Sequence, residues 1–294
     1  MRRLLLAIMA LAGGMLVNAA IELRSASDAR AASEPPRSKS TAPTAPAGPS
    51  LADLAAGRLE IVDLAWPINS NSAFWPGDNY RPFELHTIAT LEKDGVLSKA
   101  FSMPEHLGTH LDAPNHFEQN QPSVDQLASQ QLFSPGVLVD VSAKAALDAD
   151  YRVSVDDLRE FEEVHGPIPS GSVVLAYTGW SKYWGTPARY QNQDVMSRLH
   201  FPGFSAEAAD WLVDERQARG LGLDTLSVDY GLSRDFAVHH ALGKAGRYGL
   251  ENLANLEKLP PRDFYLFVAP IKIETGSGGP VRVFAVWAKS GAAD

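Results

Sequence analysis

A mixed α/β domain of the α+β kind is what the sequence predicts for residues 51–294, and three observations carry that prediction. Short apolar or alternating runs bounded by Gly, Pro and Asp outnumber the helical patterns. Two stretches with helical spacing each follow a serine placed to cap them. The two kinds of segment interleave at irregular intervals, whereas a doubly wound parallel sheet would alternate them regularly.

In chain order, strands are expected at Leu59 to Ala65, Leu85 to Leu91 and Val137 to Val141. Ser154 then caps a helix with the sequence VDDLREFEEV, and Val173 to Tyr177 reads as a buried strand. Ser205 opens a second helix, AEAADWLVDERQA, with Trp211, Leu212 and Glu215 at turn spacing. A strand follows at Gly222 to Val228, a short helix at Asp235 to Leu242, and closing strands at Phe264 to Ile273 and Val281 to Trp287. The GSGGP run at 276–280 is a turn rather than a phosphate loop, because no Lys follows it and a strand comes next. No second linker or internal repeat interrupts residues 51–294, which suit one domain with a sizeable core.

The first fifty residues are of different material. Arg2 and Arg3 lead into the apolar run Leu4 to Leu11, then two glycines and small residues ending at Ala19 and Ala20, the layout of a signal peptide over residues 1–20. The run is short for a bilayer crossing of about 20 residues, so export to the periplasm or the medium is expected, with cleavage there or as late as Ala31 and Ala32. Residues 33–50 are Pro, Ala, Ser and Thr with almost no apolar bulk and read as a disordered tether.

Composition then removes whole classes of chemistry. A chain without cysteine has no disulfides, thiolate metal site or cysteine nucleophile, so nucleophiles and ligands must come from His, Asp, Glu, Ser or Thr. The first fifty residues hold six basic and three acidic side chains, which leaves 20 basic and 32 acidic on residues 51–294, a net −12. Such a surface argues against nucleic acid and for a small or neutral partner. No G-x-S-x-G elbow is present to support a Ser-His-Asp hydrolase.

The densest chemistry lies in EHLGTHLDAPNHF at 105–117, where His106, His110, Asp112 and His116 fall within eleven residues of a chain with eight histidines. Pro104, Gly108, Thr109 and Pro114 disfavour a helix, so the segment is expected to be extended, with these even-numbered positions on one face. Four residues of straight strand span about 13 Å, whereas two ligands of one zinc must approach within about 4 Å, so the segment must bend, most cheaply at Gly108. Pro114 should end the strand before His116. Imidazoles with a carboxylate are donors that zinc or manganese accepts, and the aspartate could bridge to a second ion. The alternative, a row of ordinary hydrogen-bonding histidines, would demand many buried partners. Downstream, His239 and His240 on the short helix and Glu251 form a weaker set, since an adjacent histidine is often solvated and Glu251 could cap a helix beginning near Asn252. Asp224, Ser227 and Asp229 read either as turn formers or as acceptors that orient imidazoles. Trp75, Phe74, Trp180, Tyr183 and Trp184 are candidates for an apolar pocket around a ring-bearing substrate, with core packing as the alternative for each.

The motif H-x-G-T-H-x-D-A-P-x-H-F at 106–117 resembles that of the cyclase family of metal-dependent hydrolases, which includes kynurenine formamidase and isatin hydrolase. Further matches are FWPGD at 74–78, TGW at 178–180, FPG at 201–203, LGLDTLSVD at 221–229, VHHAL at 238–242, LENLANLEKLP at 250–260 and GGPVRVFA at 278–285. The resemblance implies a swivelling β/β/α-like fold with a mixed sheet or partial barrel, usually as a homodimer. It implies that His106, His110 and Asp112 ligate a divalent ion, that His239 and Glu251 complete a second or shared ion site, and that His116 is the acid/base. Trp75 matches an aromatic bordering the substrate, and Trp180 lies in the matching TGW. The expected activity is hydrolysis of a C–N bond in a small cyclic or aryl amide, with zinc first and manganese second as the ion, one or two per site. An ester or lactone hydrolase using the same site, and a metal-dependent binding protein without turnover, are the alternatives.

Overall fold

The computed structural model describes residues 50–289, so the expected signal peptide, nearly all of the tether and the last five residues lie outside the described residues. Twelve strands are present among the described residues. In chain order they are β1 Leu59–Asp63, β2 Glu84–Ala89, β3 Ser98–Ser102, β4 His110–Asp112, β5 Phe133–Asp140, β6 Arg152–Val153, β7 Val173–Tyr177, β8 Gly203–Phe204, β9 Gly220–Leu223, β10 Tyr248–Glu251, β11 Phe264–Pro270 and β12 Gly278–Ala288. Eight of them form one sheet in the order β1-β12-β11-β5-β7-β9-β10-β4, in which the β5, β7, β9 and β10 neighbours run parallel and the rest antiparallel. The mixed α/β expectation holds, and the partial barrel is in fact closed. The first residues of β12, Gly278–Pro280, pair with β4, so seven strands close on themselves while β1 extends the wall beside Phe284–Ala288.

Two cores follow from strand alternation, since successive side chains point to opposite faces. Leu138, Leu175, Leu250, Leu111, Leu266 and Val283, one from each of six strands, fill the barrel interior. On β9 the interior face is glycine: a Cβ on Gly222 would stand 2.8 Å from Leu175 and 3.0 Å from Leu253, so these leucines occupy the space a side chain would need. The intervening residues Val137, Val139, Val174, Ala176, Leu221 and Leu223 face outward and bury Leu158 and Phe161 of helix Val155–His165 and Ala208 and Leu212 of helix Ala206–Arg216. Both helices start where their serines predict, Ser154 accepting from Asp157 N in a capping box and Ser205 accepting from Ala208 N.

The differences from the expected elements cluster around the motif. The expected strand over 222–228 stops at Leu223, because the Asp224 carboxylate turns back to take the N–H and hydroxyl of Thr178 and the N–H of Ser181. No helix begins near Asn252: that residue has φ 58 and follows β10, whose last residue is Glu251. The short helix spans Ala237–Lys244. Among the described residues no helix is long and apolar enough to cross a membrane.

Candidate metal centre

The barrel wall itself positions the site. β4 and β10 pair antiparallel with Leu111 opposite Leu250 and His110 opposite Glu251. Because the two leucines point into the barrel, His110, Asp112 and Glu251 project from the outer face, where helix Ala237–Lys244 lies over them and delivers His239. Gly249, opposite Asp112, leaves its carboxylate room. The bend expected at Gly108 is there, with φ +70, and it carries His106 out of the strand and back toward Asp112. Pro114 ends the strand as expected and opens a 3-10 turn, Pro114–His116, that returns His116 over the site.

These groups form a closed ring of donors. His110 Nε2 stands 3.3 Å from Asp112 Oδ1 and 3.3 Å from Glu251 Oε2, and His239 Nε2 stands 3.3 Å from Asp112 Oδ2 and 3.2 Å from Glu251 Oε1. Each carboxylate thus turns one oxygen to each imidazole. Two atoms bound at about 2.1 Å to a tetrahedral ion are about 3.4 Å apart, so each of these pairs is spaced as two ligands of one cation are. His106 Nδ1 adds a fifth donor, 2.6 Å from Asp112 Oδ1. Two overlapping groups of possible ligands result, His106, His110 and Asp112 on one side and Asp112, His239 and Glu251 on the other, with Asp112 in both.

Surrounding contacts fix which nitrogen of each ring faces inward. His110 Nδ1 donates to the Gly108 carbonyl at 2.9 Å, a carbonyl that also accepts from Asn252 Nδ2. His239 Nδ1 donates to Asp229 Oδ2 at 2.6 Å, and Asp229 is itself held by the N–H groups of Val238 and His239. His106 Nε2 donates to Ser277 Oγ, whose hydroxyl donates to Glu105 Oε2 at 2.6 Å. In every case the outward nitrogen donates to a fixed acceptor, which leaves the inward nitrogen to ligate a metal once the ion displaces its proton. Asp229 therefore acts as an orienting acceptor, whereas Asp224 serves the turn after β7.

Electrostatics agree with a cation. Asp112 Oδ2 is buried and accepts no hydrogen bond, although His239 Nε2 lies 3.3 Å away. Such an atom carries a desolvation cost that only a positive partner offsets. Burial would depress the His110 pKa, yet the carboxylates of Asp112 and Glu251 outweigh it and raise it to about 10, and His239 is raised well above the usual imidazole value by the same pair with Asp229. A field that would hold protons on two buried imidazoles holds a divalent ion equally, and the cluster fits one.

His116 behaves differently. Its ring stacks on His106 at 3.9 Å between centroids, and burial lowers its pKa to about 3, so it stands neutral at the edge of the cluster. It lines, with the ligand candidates, a cavity of about 150 Å³ whose other walls are Trp75, Tyr80, Phe117, Leu226, Ser227 and Phe236. Trp75 is among these walls. Trp180 is not: it is buried in a cluster with Tyr190 and Phe201, its indole N–H donating to the Tyr190 carbonyl at 2.8 Å, and Trp75, Tyr183 and Trp184 pack against that cluster. The apolar wall comes instead from Phe117, in edge or tilted contact with His239 and Phe236, and from Phe236 facing Trp75 at 5.6 Å. Phe236 has φ 48, a conformation a bulky residue rarely adopts, and no sequence pattern announces it.

Comparison with known proteins places this geometry. The Cyclase family model matches residues 62–230. Isatin hydrolase of Roseibium aggregatum is 32% identical over 254 residues, covering 81% of this chain and 96% of the relative. A kynurenine formamidase of Bacillus cereus is 29% identical over 229 residues, covering 76% and 95%. Among solved structures, isatin hydrolase A from Ralstonia solanacearum superposes with a TM-score of 0.77 at 35% identity, over 81% of this chain and 98% of that one. An isatin hydrolase bound to the product analogue thioisatinate gives 0.77 at 31%, over 81% and 96%. Fold and site together define a hydrolase of carbon–nitrogen bonds other than peptide bonds, with a centre suited to a divalent metal. The chain belongs to the cyclase family.

Proposed function

We propose that the protein is an exported hydrolase of small cyclic or aryl amides, of the isatin or N-formyl-arylamine kind, with His106, His110, Asp112, His239 and Glu251 as metal ligands and His116 as general acid/base. The observation that carries the reading is the ring of His110, Asp112, His239 and Glu251 closed by separations of 3.2 to 3.3 Å. Zinc is the first choice of ion and manganese the second, because three imidazoles and two carboxylates are donors both accept. The sharing of Asp112 between two ligand groups supports a site for one or two ions.

When bound, a divalent ion supplies Lewis acidity, polarising a carbonyl and lowering the pKa of water from about 15.7 toward 7. The chain's own groups do the rest. His116, neutral because it is buried, accepts a proton from the attacking water and returns it to the leaving nitrogen, so no protein nucleophile is needed. Trp75, Phe117 and Phe236 hold the ring of the substrate and exclude bulk water from the cluster.

The basic start and short apolar run of residues 1–20 support export. The hairpin of β2 and β3 supports a homodimer: it is a separate two-stranded sheet, marginal alone, and it leaves Ile88 and Phe101 exposed at 67% and 58%. The test is a hydrolysis screen over isatin, N-formyl aryl amides, cyclic imides and lactones, on purified protein of measured metal content, before and after chelation. Amide turnover that vanishes with the metal and returns with it is expected. Turnover of lactones alone would move the assignment to esters, and metal binding without any turnover would make the protein a binder.

A further inference from the structure

A second cavity, of about 480 Å³ against about 150 Å³ for the one at the metal centre, adjoins the site. Trp75 and Phe236 line both, so this aromatic pair, 5.6 Å apart edge to face, is the shared wall. Beyond it the lining carries two guanidinium groups, Arg198 and Arg234, and no carboxylate, on a domain whose net charge is −12. Arg198 is committed to Asp194 at 2.6 Å. Arg234 is exposed and forms no ion pair among the described residues. A planar guanidinium with its donors free, lining a cavity that shares its aromatic wall with the one at the metal centre, matches a carboxylate in shape and charge.

We propose that this chamber is the distal half of the substrate site and that it selects amides bearing a carboxylate on the side of the ring remote from the scissile bond, with Arg234 as the anion's partner and the Trp75–Phe236 pair as the apolar surface against which the ring lies. The inference rests on the amide-hydrolase reading and adds to it the charge of the substrate. An acidic protein would otherwise repel such a molecule, so the local positive lining also draws it to the right end of the site.

The test compares kcat/KM of the metal-loaded enzyme for formanilide and for 4-carboxyformanilide. The wild type should favour the carboxylated amide by about three- to tenfold, mostly through KM, and the preference should shrink as salt rises. In Arg234→Gln the ratio should fall to near one, and Arg234→Lys should restore part of it. A wild-type ratio of one or below, or a ratio that survives Arg234→Gln, overturns the inference while leaving amide hydrolysis standing. Failure of the metal-loaded wild type to hydrolyse either amide removes the underlying reading, and this one with it.

Discussion

His239 donates from Nδ1 to Asp229 Oδ2 at 2.6 Å, while Nε2 of the same ring stands 3.3 Å from Asp112 and 3.2 Å from Glu251. One carboxylate therefore fixes the tautomer that lets the ring face a cation between two others. Asp229→Asn keeps the shape but offers an amide where an acceptor is needed. Its metal affinity should drop about 10- to 100-fold, with far-ultraviolet circular dichroism unchanged, as measured by competition with a chelator of known affinity. Undiminished affinity would mean that Asp229 serves only to cap the helix.

His116 stacks on His106 but stands outside the donor ring. His116→Gln should lower kcat by about 10²- to 10⁴-fold while metal content by elemental analysis stays at the wild-type level. Loss of the metal along with activity would make His116 a ligand instead of a proton carrier.

Gly278 lets β12 pass close under the motif: a Cβ there would stand 2.7 Å from His106 Cε1. Gly278→Ala should cost about 1–3 kcal/mol in denaturant unfolding and disturb the metal site as well. Gly185, with nothing within 4 Å of its ideal Cβ, is the control, and Gly185→Ala should be neutral or slightly stabilising.

His200 ties the 194–200 loop to Asp150, which lies 2.8 Å from Nδ1, with Asp194 3.4 Å from Nε2. The Asp150 hydrogen bond raises the imidazole pKa above its ordinary value. Protonation therefore favours the folded state, a contribution complete below the unfolded value of about 6.5 and lost as pH rises through the higher folded value. The melting temperature lost in His200→Ala should be larger near pH 5.5 than near pH 9, and equal losses at both would contradict the shift.

Much of this architecture was legible where one physical signal dominates. Val173 to Tyr177 is a strand because its four apolar residues before Tyr177 are buried on both faces, and Ser154 and Ser205 begin helices because nearby backbone N–H groups need acceptors. The motif's bend at Gly108 and its stop at Pro114 followed from ligand spacing and proline chemistry. β4 and β10 were not legible, since strands of three and four residues carrying His, Asp and Glu on one face, with only Leu111 or Tyr248 and Leu250 on the other, are too short to show a hydrophobic period. From its immediate neighbours Glu251 reads equally as a ligand or as a helix cap, because only its register opposite His110 reveals where it points. Trp180 and Trp75 are equivalent as sequence, and a tertiary hydrogen bond to Tyr190 separates them. Phe236 depends on a strained φ that no propensity encodes.

The central claim is that Asp112, shared by both ligand groups, holds a divalent ion on which amide hydrolysis depends. The most direct measurement is the metal stoichiometry of Asp112→Ala beside its rate on the amide the wild type prefers. Near-zero metal together with loss of turnover is the predicted result, and a variant that retains wild-type metal content and turnover contradicts the account.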